Sequence, residues 1–362
     1  MRIVNFAGSF DPIHNGHIEM VKKAFEDLKP DIFYITPISR SFTKTYSTSY
    51  AQRADMIKLA ISSLNNDKVK INYCEQDLDE GYSGYKHIND LKNYTNAEEL
   101  YIVIGADHLA DLETWDEIEW LTKNVIFYVF ARRGLKVSKF AQKLIDEKRL
   151  IFNHTFDFEV GSYSQRVIPS FLNDAVIQYI NENALYVHQR LQSRLTNDRI
   201  AHSYRVANLA KELTLKHYPE LAQKAYIAGL YHDWCKEASD FQILNIIKNT
   251  KYEAFKDHFH RINNLHGIAA NILLRTQLFF NDEDILHAIN NHTYQFDSDV
   301  KILDKILYCA DKLEPNRSID DLDDIDKYRK LVFEDLDQTY SYIVQYQHHK
   351  FHDLINDKKT KK

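Results

Sequence analysis

Two histidines near the start of the chain have a spacing and a context that suit phosphate chemistry. His14 and His17 stand in the segment from Gly8 to His17 (GSFDPIHNGH), which follows a strand-like run and opens onto a helical pattern. A glycine there lets the backbone approach a ligand closely, and free N–H groups at a helix start favour phosphate. Imidazoles that are protonated or donate hydrogen bonds would stabilise charge on a transferring phosphoryl group.

No covalent nucleophile stands near these histidines in the sequence. Direct in-line attack on the α-phosphate of ATP is therefore the simpler chemistry. The alternative is a loop with two solvent-exposed histidines. This alternative is disfavoured, because four features together favour a phosphate-binding loop. They are the glycine, the Asp-Pro turn, the preceding strand and the following helix.

A second set of residues, in the other half of the chain, has the chemistry of metal ligands. It comprises His202, His232, Asp233, His266, His292 and Asp311. Imidazoles and carboxylates without thiolates suit iron, manganese or another divalent first-row metal. Each residue continues an apolar helical stripe, so each is expected to point into a core. A single inward histidine is more often an ordinary core residue, but buried Asp and His need partners, and a shared metal centre explains the whole set.

The elements that must position these residues differ between the two halves. In the first half, β-rich runs alternate with helical patterns such as Gly16–Leu28 and Tyr50–Leu64. The strand candidates are Ile3–Ala7, Ile32–Thr36, Val69–Tyr73, Leu100–Ile104, Val125–Phe130 and Leu150–Phe152. This alternation predicts an α/β fold with a doubly wound parallel sheet, whose ligands bind at the carboxyl ends of the strands.

Strand signals disappear after about residue 170. Asp174–Tyr186 predicts a closing helix, and from Leu191 onward the apolar residues have a helical period. The second half is therefore predicted to be all-α. The change of period predicts a first domain over 1–188, a second over 189–350 and a C-terminal tail over 351–362.

Length and composition limit the classes of protein. A chain of 362 residues favours two domains. A formal net charge of −6 without a basic stripe argues against a nucleic-acid partner. The cysteines Cys74, Cys235 and Cys309 are isolated, which indicates a reducing compartment and no thiolate zinc site. No apolar stretch approaches the ~20 residues that span a bilayer, so we expect a cytoplasmic protein with no membrane partner.

The first half resembles the HxGH nucleotidyltransferase superfamily and, within it, the bacterial nicotinate-nucleotide adenylyltransferases. The matching segments are GSFDPIHNGH, Thr36–Lys44, Ile104–Trp115, Phe130–Gly134 and Gly161–Arg166. The resemblance implies a Rossmann-like fold and adenylyl transfer from ATP to nicotinate mononucleotide, which gives deamido-NAD and pyrophosphate. Mg²⁺ would accompany ATP.

The same resemblance implies roles for individual residues. His14, His17 and Lys44 would be catalytic. The nucleotide-binding residues would be both histidines with Gly8, Ser9, Phe10, Gly105, Asp107, Trp115, Arg132, Ser162 and Arg166. The family's Ser-Tyr-Thr region is Ser83-Gly84-Tyr85 here, and Phe42-Thr43 replaces its Pro-His. Another acceptor, such as a phosphopantetheine or choline-type phosphate, therefore stays open.

The metal-ligand set matches the His…His-Asp…Asp pattern of HD domains, and His266 and His292 fit the binuclear variety. The surrounding segments Gly229–Lys236, Leu265–Gly267, Ala288–Thr293 and Tyr308–Arg317 resemble the YqeK-type HD hydrolases. That resemblance implies a pair of divalent metals, iron in type, and symmetrical hydrolysis of diadenosine tetraphosphate to ADP. It makes Asp233 and Lys236 catalytic, with Lys236 and Arg317 as phosphate contacts. A module that senses nucleotides without cleaving them is the alternative.

Overall fold

The first half of the chain folds around a parallel sheet. The structure is a computed structural model, and it describes residues 1–39, 45–76, 84–131, 137–153, 161–257, 261–293, 299–318 and 322–347. Its strands are β1 (Arg2–Gly8), β2 (Ile32–Pro37), β3 (Val69–Ile71), β4 (Glu99–Gly105), β5 (Ile126–Phe130) and β6 (Leu150–Asn153). The order is β3-β2-β1-β4-β5-β6, and every adjacent pair is parallel. The six predicted strands and the α/β class are confirmed.

The end of β3 differs from the prediction, which carried this strand to Tyr73. The Asn72 side chain accepts a hydrogen bond from the Cys74 main-chain N–H at 3.2 Å. Such a local side-chain turn competes with sheet pairing and ends the strand. Tyr73 is consequently half exposed.

One α-helix follows each of the first five strands, and two follow β6. They are α1 (Asn15–Leu28), α2 (Tyr50–Ser62), α3 (Gly84–Thr95), α4 (Ile118–Asn124), α5 (Lys139–Asp146), α6 (Ser162–Val167) and α7 (Asp174–Glu182). The predicted extension of α7 to Tyr186 is wrong. Ala184 and Tyr186 have φ angles of 50° and 60°, in the left-handed region, which an α-helix cannot continue through.

The order of the strands reverses between β1 and β4. Two crossovers run one way to β2 and β3, and the others run the opposite way to β5 and β6. In an open parallel sheet this reversal leaves a crevice at the carboxyl ends of the two central strands. Gly8 ends β1 and Gly105 ends β4, so two of the predicted nucleotide-binding residues flank that crevice.

The second half is helical throughout its described residues, as predicted. Its helices are α8 (Val187–Gln192), α9 (Asn197–His217), α10 (Ala222–Tyr231), α11 (Asp240–Ile247), α12 (His266–Gln277), α13 (Glu283–Asn291), α14 (Ile302–Leu313) and α15 (Ile325–Leu331), with a further helical run over 336–347. Within the described residues, no helix combines the length and apolarity needed to cross a membrane.

The backbone divides into two compact units, Met1–Tyr179 and Ile180–Lys362. This division falls ahead of the predicted boundary at 188, inside α7. The exact domain limits stay a prediction.

A glycine sets how closely α9 and α10 approach. A Cβ added to Gly229 of α10 would lie 2.4 Å from Cα and 2.7 Å from N of Ala207 in α9. Neither backbone atom can move without shifting its whole helix. Gly229 therefore fixes the spacing of the two helices that lead to His202 and His232.

Replacing Gly229 with Ala should lower the free energy of unfolding of the second unit by about 1–3 kcal/mol, because an overpacked helix contact forces backbone shifts. Urea denaturation followed by circular dichroism measures it. Gly84→Ala is the control, since nothing lies within 4 Å of a Cβ added there. An unchanged unfolding midpoint for Gly229→Ala would contradict the packing described above.

Candidate functional site

The first candidate site lies in the loop between β1 and α1. His14 is the N-cap of α1, and its ring stacks on His17 with centroids 3.6 Å apart. The His14 main-chain N–H donates to His17 Nδ1 at 3.2 Å. Because Nδ1 accepts, the neutral His17 ring carries its proton on Nε2 and donates from there. The structure therefore brings the two predicted histidines together at the helix start.

His14 is buried, with 6% of its surface exposed. Burial lowers the pKa of His14 to about 4, so the ring is neutral at pH 7. Its Nδ1 atom is buried and finds no hydrogen-bond partner in the structure. A buried polar atom without a partner costs about 1–3 kcal/mol, which a ligand atom at this position would recover. The sequence analysis left two possibilities, a protonated imidazole and a neutral imidazole that donates a hydrogen bond. His14 fits the second.

Arg53 of α2 holds the loop from the sheet side. Its side chain is 1% exposed, and Nη1 donates to the carbonyl oxygens of Ser9 and Ile38, both at 2.8 Å. The Ile38 N–H in turn donates to the Gly8 carbonyl at 3.0 Å. Arg53 thus ties the loop after β1 to the loop after β2. Nothing in the sequence spacing of Arg53 reveals this role.

Arg166 of α6 holds the same loop from the other side. Its Nη2 lies 2.9 Å from Asp11 Oδ2, and its Nε donates to the Asp11 carbonyl at 2.8 Å. Asp11 also accepts from the Ser47 N–H and the Thr48 hydroxyl. The guanidinium that the resemblance assigns to phosphate is therefore bound to Asp11 beside the histidines. Ser162, the first residue of α6, lies one turn earlier.

The predicted aromatic residues pack partly into the core. Phe10 is 2% exposed and lies edge-on to His17 at 5.1 Å, so its ring supports the histidine. Trp115 is half buried, with its ring edge-on to Phe127 at 6.1 Å. Asp107 is exposed directly after β4, 2.5 Å from the position of a Cβ on Gly105, so a side chain at 105 would displace it. Lys44 and Arg132 lie outside the described residues, as do Phe42, Thr43 and Ser83.

The second candidate site gathers all the predicted metal ligands in the core of the second unit. Each is at most 5% exposed: His202, His232, Asp233, His266, His292 and Asp311. The sequence pattern assigned each to the inward face of a helix. That is correct for His202, His266 and Asp311, which lie on α9, α12 and α14. His232 and Asp233 instead follow the end of α10, and His292 follows the end of α13.

The donors form two groups that meet at Asp233. In the first, His202 Nε2 lies 3.1 Å and His232 Nε2 3.7 Å from Asp311 Oδ1. Asp233 turns Oδ2 toward this group, 3.6 Å from His232 Nε2. In the second, Asp233 Oδ1 lies 3.0 Å from His266 Nε2 and 3.8 Å from His292 Nε2. One carboxylate thus faces both groups, each oxygen toward a different one.

Main-chain carbonyls fix the orientation of three of the imidazoles. Nδ1 of His232, His266 and His292 lies 2.6–2.7 Å from the carbonyl oxygen of the residue three positions earlier. A carbonyl only accepts, so each Nδ1 carries the proton and each Nε2 presents a lone pair. Nε2 of His266 and Nε2 of His292 are 3.0 Å apart. Two lone pairs that face each other at this distance repel, and a cation between them removes the repulsion.

The protonation states also suit a metal. Burial lowers the pKa of His232 to about 4 and lowers the pKa of His266 and of His292. Burial opposes ionisation of Asp233, yet the surrounding histidines hold its pKa well below its ordinary value. Asp311 behaves likewise, held ionised mainly by Lys312 and His202. Neutral imidazoles and ionised carboxylates are the forms that bind a divalent metal. Nε2 of His202 and of His232 is buried without a hydrogen-bond partner in the structure, as expected of a ligand atom.

Cationic side chains surround these carboxylates. Arg199 Nη1 lies 3.1 Å from Asp233 Oδ2, Lys312 Nζ 2.6 Å from Asp311 Oδ2, and Arg317 Nη2 2.9 Å from Asp311 Oδ1. Burial lowers the pKa of Lys236, which follows Asp233 by three residues. The sequence indicated Lys236 and Arg317 but not Arg199 or Lys312. Arg199 had a usable signal, since it precedes His202 by three positions on one helical face.

Comparison with known proteins matches both units. Residues 5–175 match the cytidylyltransferase-like family, and residues 199–316 match the HD domain. A protein of Mycoplasma genitalium named as a probable nicotinate-nucleotide adenylyltransferase/Ap4A hydrolase is 32% identical over 95% of this chain and 97% of its own length. A protein of the same name from Mycoplasma pneumoniae is 30% identical over 94% and 97%. A probable nicotinate-nucleotide adenylyltransferase of Endomicrobium trichonymphae is 32% identical over 51% of this chain and 98% of its own.

The HD match and the donor set together indicate a divalent-metal site in the second unit. Adding Mn²⁺ to EDTA-treated protein should therefore stabilise that unit, by about 2.7 kcal/mol at 100 times the dissociation constant. Thermal unfolding with and without Mn²⁺ measures the effect.

Asp233→Asn should abolish the Mn²⁺-dependent stabilisation, because both donor groups lose the shared charge. Asp326→Asn is the matched control, since Asp326 is an exposed aspartate of the same unit that pairs with Arg329. A thermal shift of the same size in Asp233→Asn and in the wild type would contradict the assignment.

Proposed function

Because the chain belongs to the family of nicotinate-nucleotide adenylyltransferase/Ap4A hydrolase fusion proteins, we propose that it is an enzyme with two activities, one in each unit. The first unit transfers an adenylyl group from ATP to nicotinate mononucleotide, giving deamido-NAD and pyrophosphate. The second hydrolyses diadenosine tetraphosphate symmetrically to two ADP. The observation that carries the proposal is that the similarity extends through both units, and each unit gathers polar residues suited to its own reaction.

In the transferase, the acceptor phosphate oxygen attacks the α-phosphorus of ATP and the bond to the bridging oxygen of pyrophosphate breaks. His14 and His17 at the start of α1 donate hydrogen bonds to the phosphates, where negative charge accumulates in the transition state. Main-chain groups of Gly8 and Ser9 lie close enough to the crevice for the nucleotide to approach the backbone. Mg²⁺ enters with ATP and offsets the polyphosphate charge.

Arg53, Asp11 and Arg166 act by holding this loop in place. Catalytic donors must keep their position when the substrate charge changes, and the buried Arg53 contacts fix the carbonyls in the loops after β1 and β2. Arg166 and Ser162 are proposed to bind the β- and γ-phosphates, and Arg166 would then share its guanidinium between the substrate and Asp11. Lys44 and Arg132 are proposed as further phosphate contacts on the resemblance alone.

At the end of β4, Gly105, Asp107 and Trp115 are proposed to line the nucleotide pockets. The indole of Trp115 has one edge on Phe127, which leaves part of the ring for stacking. Nicotinate is a flat ring that stacks on such a surface.

In the hydrolase, the six buried donors would hold a pair of iron-type divalent metals, and Asp233 faces both groups of donors. When bound, the metals supply Lewis acidity to a phosphate and promote attack by water. The protein itself contributes cationic side chains that bind and orient the substrate. Arg199, Lys236, Lys312 and Arg317 form a cationic rim that binds the polyphosphate and offsets charge on the leaving ADP. Their contacts with Asp233 and Asp311 must then be shared with the substrate.

The direct test of the transferase is to incubate the purified chain with ATP and Mg²⁺ and separate the products by chromatography. Nicotinate mononucleotide should give deamido-NAD and pyrophosphate, while 4′-phosphopantetheine and choline phosphate should give no adenylated product. Turnover of one of those two acceptors, with none of nicotinate mononucleotide, would overturn the proposed acceptor.

Separate variants should remove one activity each. His17→Ala should slow adenylyl transfer by about 10²-fold or more, through loss of a transition-state donor, and leave diadenosine tetraphosphate hydrolysis intact. Asp233→Ala should abolish hydrolysis and leave transfer intact. Rates of deamido-NAD and ADP formation measure both, with exposed His217→Ala and Asp326→Ala as controls. Hydrolysis that persists in Asp233→Ala would refute the proposed centre.

A further inference from the structure

One of the four clustered histidines is held differently from the others. His232, His266 and His292 donate Nδ1–H to main-chain carbonyls at or near the ends of helices. His202 lies inside α9, where the carbonyls are engaged by the helix itself. Its Nδ1 lies 3.2 Å from Oε1 of Glu314 instead. The acceptor is a side chain from a distant part of the sequence.

Contacts other than the one with His202 hold the Glu314 side chain in place. Its side chain is 3% exposed. Oε2 accepts from Arg205 Nε at 2.6 Å and from the Asn316 N–H at 2.8 Å. Arg205 lies three positions after His202 on α9, so the carboxylate is held against the same helix whose histidine it contacts.

The two nitrogens of His202 therefore lie between two carboxylates that are three residues apart in sequence. Nε2 is 3.1 Å from Asp311 Oδ1, and Nδ1 is 3.2 Å from Glu314 Oε1. Both carboxylates can only accept, so a metal bound at Nε2 would leave the ring proton on Nδ1, where Glu314 Oε1 accepts it. A partner at Nδ1 fixes the tautomer and the ring orientation of a metal-ligating histidine.

We propose that Glu314 is a positioning residue of the metal centre, which fixes the tautomer and the ring orientation of His202 as a ligand. It is not one of the six donors and does not contact the substrate. The proposal uses the metal site of the proposed function, but not the identity of the substrate.

The test is Mn²⁺ affinity of the full-length chain, measured after EDTA treatment by the electron paramagnetic resonance signal of free Mn²⁺. Glu314→Ala should raise the dissociation constant 10–100-fold, the usual effect of losing such a partner. Glu314→Gln keeps an acceptor oxygen and the same shape, so its loss should be smaller. Glu283→Gln is the control, because Glu283 is an exposed glutamate of the same unit that pairs with Arg275.

A merely structural role for the Arg205–Glu314 pair gives a different result. It would lower the thermal stability of the metal-free chain and leave Mn²⁺ affinity unchanged. Wild-type affinity in both Glu314 variants overturns the proposal, whatever their stability. Because the readout is Mn²⁺ binding, it is independent of whether the wild-type chain hydrolyses diadenosine tetraphosphate.

Discussion

The architecture of the second unit depends on one buried carboxylate that faces two groups of donors. Asp233 turns Oδ2 toward His202 and His232 and Oδ1 toward His266 and His292. Removing an ionised carboxylate from water costs several kcal/mol unless charges and hydrogen bonds compensate. The neighbouring histidines and Arg199 supply part of that compensation. The close α9–α10 contact at Gly229 and the helix ends before His232 and His292 are what allow the donors to converge.

In the first unit, hydrogen bonds to the loop after β1 hold the candidate catalytic residues in place. His14 and His17 must stay at the start of α1 while a highly charged substrate enters and leaves. Arg53 binds the carbonyls of Ser9 and Ile38, and Arg166 binds Asp11. The buried Arg53 and the partly buried Arg166 connect α2 and α6 to the loop after β1. In both units, therefore, ion pairs and hydrogen bonds of charged side chains keep the reactive groups in place.

Sequence patterns predicted much of this arrangement for identifiable reasons. Strands β1, β4 and β5 are mostly buried, so they are largely apolar runs that period and length reveal. The apolar stripes predicted that the metal donors are buried, which is correct for all six, although His232, Asp233 and His292 lie just past helix ends. The residues around His14 and His17 (a glycine, an Asp-Pro turn, a preceding strand and a following helix) all indicate a loop that leads from a strand into a helix.

Other features depend on contacts between distant parts of the chain. The Glu314–His202 hydrogen bond joins residues 112 positions apart, and no periodicity signals it. The ends of β3 and α7 were misplaced because a side-chain turn at Asn72 and the left-handed residues Ala184 and Tyr186 override local propensity. The division of the donors into two groups is also not visible in the sequence, because it depends on which donors each oxygen of Asp233 faces in the folded chain.

The shared role of Asp233 can be tested by anomalous X-ray diffraction from crystals of the full-length chain grown with Mn²⁺. The account predicts two anomalous peaks in the second unit, one beside each oxygen of Asp233. The first should be bordered by His202, His232 and Asp311, and the second by His266 and His292. A single peak bound only by the first group, or peaks remote from Asp233, would contradict it.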